Sequence, residues 1–87
     1  MTRAERLARA MTLAQYEKLL LVSRGAHCFH AQAARSIGTL IDKEILRGDF
    51  DISTPDPLRG RVHEIWREVA ITDLGREVLN AAKSLVA

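Results

Sequence analysis

The side chains best equipped for chemistry gather at His27-Cys28-Phe29-His30, where one thiol stands among two imidazoles. A structural zinc site needs four ligands, in paired spacings. The chain has one cysteine and three histidines and no second pair, and His63-Glu64 could join only if folding carried it to that turn. Nucleophilic use of the thiol needs a base at hydrogen-bond distance, and His27, adjacent in sequence, is badly placed to supply one. The expectation is that Cys28 and Phe29 face the core while His27 and His30 sit at a turn. Glu64 and Glu68 flank Trp66 at alternating positions and read as the exposed side of a strand, not as a catalytic carboxylate pair. A Gly-rich phosphate loop and a Ser-His-Asp set are both missing from the sequence. The residues therefore point away from an enzyme and call for no cofactor and no metal.

Charge gives the other lead. Residues 1–24 carry Arg3, Arg6, Arg9, Lys18 and Arg24 against Glu5 and Glu17, whereas residues 49–87 are slightly acidic. A basic N-terminal third can face phosphates, although the net charge of +2 is a weak signal alone.

The elements that would position these groups follow from periodicity and punctuation. Residues 3–10 are strong helix formers and either continue into the next helix or form a separate arm. Thr12-Leu13-Ala14-Gln15 has the form of a capping box, opening a helix whose Leu13, Tyr16, Leu19, Leu20 and Val22 share one face; Gly25 ends it. A second helical pattern runs from Ala31 to Arg47, with Ala34, Ile37, Leu40, Ile41 and Ile45 inward and Gly48 as its stop. Gln32, Arg35, Ser36, Thr39 and Lys43 then lie toward solvent. Between these helices, residues 26–30 leave room for a short turn or one helical turn.

Beyond Gly48 the period changes. Phe50 and Ile52 alternate with Asp49 and Asp51, a strand pattern, and Val62 to Thr72 reads as a second strand with Ile65, Arg67, Val69 and Ile71 on one side. Strict alternation turns Trp66 away from that side, so it either packs under the hairpin or marks a protein contact. The loop Thr54-Pro55-Asp56-Pro57-Leu58-Arg59-Gly60 joins the strands, with Arg59 and Arg61 at its tip. Thr72-Asp73 caps a last helix carrying Leu74, Val78, Leu79, Ala82 and Leu85.

A chain of 87 residues builds one hydrophobic core. The lone cysteine fits a reducing compartment, and no run approaches the roughly eighteen apolar residues of a membrane span. The expected setting is cytoplasmic, with an N-terminal helical arm or extension over 1–11 and a domain over 12–87. The fold class is mainly α with a small β-hairpin (α+β).

That element order, ending in Ile71-Thr72-Asp73-Leu74-Gly75-Arg76-Glu77-Val78-Leu79, resembles the winged helix-turn-helix superfamily, in particular small bacterial and phage-borne relatives of the MarR and PadR regulators. There the second wing strand runs into an aliphatic-Thr-x-x-Gly-Arg/Lys-x-x-Leu helix start, which residues 71–79 match. Ser36-Ile37-Gly38-Thr39-Leu40-Ile41-Asp42-Lys43-Glu44-Ile45-Leu46 resembles the end of the family's recognition helix, with Glu44 where the family usually has Gly. The resemblance covers about residues 12–82. It implies a DNA-binding transcriptional regulator, with helix 31–47 in the major groove and wing 54–61 on the backbone. The DNA-contacting positions it carries over are Gln32, Arg35, Ser36, Thr39, Lys43, Arg59 and Arg61. It also implies double-stranded DNA as partner and a homodimer, for which residues 3–11 and 79–86 offer the surfaces. The alternative is a phage-encoded protein-interaction module, or inhibitor of a host complex, on the same fold. The acidic flanks of the wing, the shortened helix-turn-helix and Trp66 favour that alternative.

Overall fold

The computed structural model describes residues 1–30, 32–52 and 64–86. Its elements are α1 (Arg3–Ala10), α2 (Leu13–Ser23), β1 (Phe29–His30), α3 (Gln32–Asp42), β2 (Leu46–Ile52), β3 (Glu64–Ile71) and α4 (Asp73–Val86). The architecture is α+β: four helices and a three-stranded antiparallel sheet in the order β1-β3-β2 among the described residues.

Local chemistry explains most of the boundaries. Thr2 caps α1 by accepting from the Glu5 N–H at 3.1 Å. Met11 and Thr12 are extended, so α1 is a helix separate from α2. The box at the start of α2 is closed both ways: the Gln15 N–H donates to Thr12 Oγ1 at 3.2 Å and the Thr12 N–H to Gln15 Oε1 at 3.1 Å. Gly25, at φ +106°, ends α2 with the Gly25 N–H on the Val22 carbonyl and the Ala26 N–H on that of Leu21. This is a Schellman ending.

The same ending recurs one helix later, on a residue that is not glycine. Glu44 takes φ +64°, its N–H donates to the Ile41 carbonyl at 2.9 Å, and the Ile45 N–H reaches back to Leu40 at 3.0 Å. The helix therefore stops at Asp42 and not at Arg47, and Lys43 lies in the turn. Gly48 is not a helix stop but a residue of β2. The reversal drives Ile45 and Leu46, 1% and 2% exposed, into the core as β2 begins.

Glu68 makes a second departure from regularity. Pairing runs Arg47↔Ala70 and then Asp49↔Arg67, so β3 holds one extra residue opposite Gly48. Glu68 accommodates it at φ +53°, a β-bulge with its first residue left-handed. Gly48 keeps the site open, because a Cβ there would lie 3.0 Å from Val69 Cγ2. The extra residue corrects the parity of the strand: Trp66 joins Val69 and Ile71 on the α3 side, while Ile65 and Arg67 fall on the other. Phe29, Trp66 and Phe50 are direct partners across the three strands and form an aromatic row.

Leu19, Ile37, Leu40 and Val78 are wholly buried at the centre of one cluster that also takes in Ala4, Ala8 and Ala82. Helix α1 packs on α4, so the alanine stripe of the N-terminal helix belongs to this core. Among the described residues, no helix is long and apolar enough to cross a membrane.

Candidate nucleic-acid interface

Helix α3 presents two unlike stripes. Ala34, Ile37 and Leu40 are at most 2% exposed and face α2 and the sheet. Arg35, Thr39 and Asp42, separated by four and three positions, form the opposite stripe and are exposed. Ser36 and Lys43 lie half-buried at its margin. The Gln32 side chain lies outside what is described, as do Arg59 and Arg61. Of the seven residues expected to contact DNA, the structure thus brings Arg35, Ser36, Thr39 and Lys43 to one side of α3, with Lys43 at the turn instead of on the helix.

The final helix does not cover this stripe. It packs on α1 and α2, and Arg35 and Thr39 stay open to solvent. The Thr39 hydroxyl donates to the Arg35 carbonyl at 3.1 Å, leaving its lone pairs and methyl group for a partner. Arg35 has no ion-pair partner among the described residues. Sequence reading missed Asp42, which the helical spacing from Arg35 would have revealed. It adds a negative charge at the stripe's C-terminal end and leaves the N-terminal half the better surface for phosphates.

The mount of α3 is built from residues 44, 45, 72 and 75. The Thr72 hydroxyl lies 2.6 Å from the Glu44 carbonyl and 2.9 Å from that of Ile45, and the Thr72 N–H donates to Ile45 at 3.2 Å. The same hydroxyl accepts from the Gly75 N–H at 2.9 Å, capping α4. Gly75 has no room for a side chain: a Cβ would collide with the Ile45 carbonyl oxygen and approach Ile71 Cγ1 to 2.8 Å. The Thr-x-x-Gly spacing is thereby explained, since it locks the end of α3 to the start of α4.

At the other end, Trp66 lies against Gly38 of α3, with Nε1 3.6 Å from where a Cβ would stand. Its ring centroid is 5.1 Å from that of Phe50 at an interplanar angle of 59°. Phe50 is 49% exposed, a residue that sequence reading treated only as half of a strand pattern.

The residues 27–30 are placed differently from expectation. They form no helical turn but lead into β1, whose alternation buries Phe29 and turns both Cys28 and His30 outward. Cys28 is thus not a core residue, and its Sγ lies 3.4 Å from Nε2 of His30, not of the neighbouring His27. Among the described residues, no group of three or more His, Cys, Asp or Glu is placed to hold a metal ion.

No protein-family model, curated protein or solved structure matches this chain.

Proposed function

We propose that this protein is a cytoplasmic winged-helix module that binds double-stranded DNA as a transcriptional regulator, with α3 in the major groove. The observation that carries this reading is the Arg35–Thr39 stripe, open to solvent on a helix whose opposite stripe is buried. A major groove admits one helix, and arginine is the side chain that most often reads guanine there; Arg35 has no ion-pair partner among the described residues. In this reading α2, β1 and α3 stand for the helix-turn-helix, a short strand replacing the usual turn. The role of the wing on the phosphate backbone falls to segment 54–61, with Arg59 and Arg61, which lie outside the described residues. The module works as a homodimer through residues 3–11 and 79–86. With Ala4, Ala8, Leu79 and Ala82 buried within one chain, the apolar residues left for that contact include Leu85 and the neighbouring Leu13, 53% and 71% exposed. Selection of genomic fragments by the purified protein tests the reading: the wild type enriches discrete sequences, and Arg35→Ala loses them. Equal enrichment by both proteins removes α3 from the interface.

A second reading, a protein-interaction module on the same fold, is favoured by Phe50. A half-exposed aromatic ring propped on Trp66 beside acidic residues is a poor neighbour for phosphate and a good anchor for protein. Pull-down of a stable protein complex, with no duplex binding at low salt, would select it.

A further inference from the structure

Strand β2 has β3 on one side and, among the described residues, no strand on the other. Seven residues of backbone, Leu46–Ile52, thus form an open edge beside Phe50. Open edges recruit further strands, and proteins guard them with charge.

The charges on this edge say what it accepts. Asp49 and Asp51 flank Phe50 and point to the face away from α3, where Arg67 holds Asp51 at 3.8 Å. On β2 itself these two acids outnumber Arg47. A second copy of the chain is a poorer occupant than a basic strand, because it cannot seat an apolar residue on Phe50 and cations on both acids at once. Antiparallel self-pairing that sets Phe50 on Phe50 opposes Asp49 to Asp51 twice; the register joining Arg47 to Asp51 makes that pair twice, but it sets Asp49 on Asp49 and takes Phe50 off its counterpart. Like charges directly opposed destabilise a strand pair. A strand with an apolar residue between two basic ones meets the opposite situation: its apolar side chain falls on Phe50 and Trp66, and its cations face Asp49 and Asp51.

We propose that β2 is a docking strand that takes an extended, basic–apolar–basic peptide segment of a protein partner by strand addition. The inference rests on the protein-interaction reading and is independent of α3. Backbone hydrogen bonds along the edge supply affinity, Phe50 supplies the anchor, and the acidic flanks set the register. Trp66, the only tryptophan in the chain, lies at the site and reports occupancy directly.

The test titrates the full-length protein with the peptide Lys-Val-Lys-Phe-Lys-Val-Glu and follows Trp66 fluorescence. Saturable binding is expected, lowered at least tenfold by Phe50→Ala, by Asp49→Lys, and by methylating alternate peptide nitrogens. Asp49→Lys should in turn gain affinity for the peptide with Glu in place of the one Lys that faces position 49. Circular dichroism verifies that both variants are folded. Absence of binding overturns the proposal. Binding indifferent to nitrogen methylation also overturns it, by removing strand addition while leaving a protein-docking surface standing. A duplex DNA that shifts Trp66 fluorescence and is lost with Phe50→Ala would assign the surface to nucleic acid and overturn it equally.

Discussion

Gly75→Ala should unfold this protein at markedly lower temperature, although the change adds one methyl group and improves helix propensity. In an unencumbered helix the substitution would stabilise by about 1 kcal/mol. Here the new Cβ meets the Ile45 carbonyl oxygen head-on, lies 3.1 Å from the Ile45 carbonyl carbon and 2.8 Å from Ile71 Cγ1. Two of those three atoms are backbone and cannot rotate away, so the first turn of α4 must retreat. Overpacking of this kind costs about 1–3 kcal/mol. Retreat also stretches the Thr72 N–H and hydroxyl contacts to Ile45, now 3.2 and 2.9 Å, each worth about 1 kcal/mol. Set against the propensity gain, the net loss is about 2–4 kcal/mol, or roughly 10–30 °C in Tm for a domain of this size. Thermal melts followed at 222 nm measure it. Gly38→Ala is the internal control, since its Cβ would sit 3.6 Å from Trp66 Nε1 in ordinary contact and should leave Tm unchanged or raise it. A Gly75→Ala protein that melts at or above the wild-type temperature would refute the close-packing argument.

Other outcomes follow from the same junction. Glu44→Gly relieves a left-handed non-glycine residue and should gain about 0.5–1 kcal/mol in urea denaturation; the exposed Arg3–Glu44 pair it removes, at 3.5 Å, contributes little. A loss of stability would mean that the turn does not need φ +64°. Thr72→Val deletes both the α4 cap and the hydroxyl contact to the Glu44 and Ile45 carbonyls. It should cost about 2 kcal/mol, with Thr72→Ser close to wild type. Equal stability of the valine and serine variants would contradict the assigned hydrogen bonds.

The elements legible in the sequence were those marked by side chains that act locally. Thr12 and Gln15 announced the start of α2, Thr72 and Asp73 the start of α4, and the alternation through Phe50 the strand β2. Two glutamates hid the rest. Glu44 does the work of a glycine at the end of α3, so Ile45, correctly spaced for the helix, read as its continuation to Arg47. Glu68 does the same inside β3, and without a glycine to mark the bulge, strict alternation sent Trp66 to the wrong face. Both conformations are set by tertiary packing: Leu46 and Ile45 must enter the core, and Val69 must fill the space above Gly48. Strand β1 is two residues long, too short for any period, which is why Cys28 was expected inside. On α3, spacing alone separated the buried stripe from Arg35 and Thr39. The reach of Lys43 depended on where the helix ended.

The most direct measurement is the salt dependence of duplex binding by wild type and Arg35→Ala, using a fragment the wild type selects. If the open stripe of α3 meets DNA, the wild type binds less tightly as salt rises, and the variant loses sequence discrimination at one position by about 1–3 kcal/mol. Superimposable binding curves for the two proteins, across sequences and salt, would contradict the account.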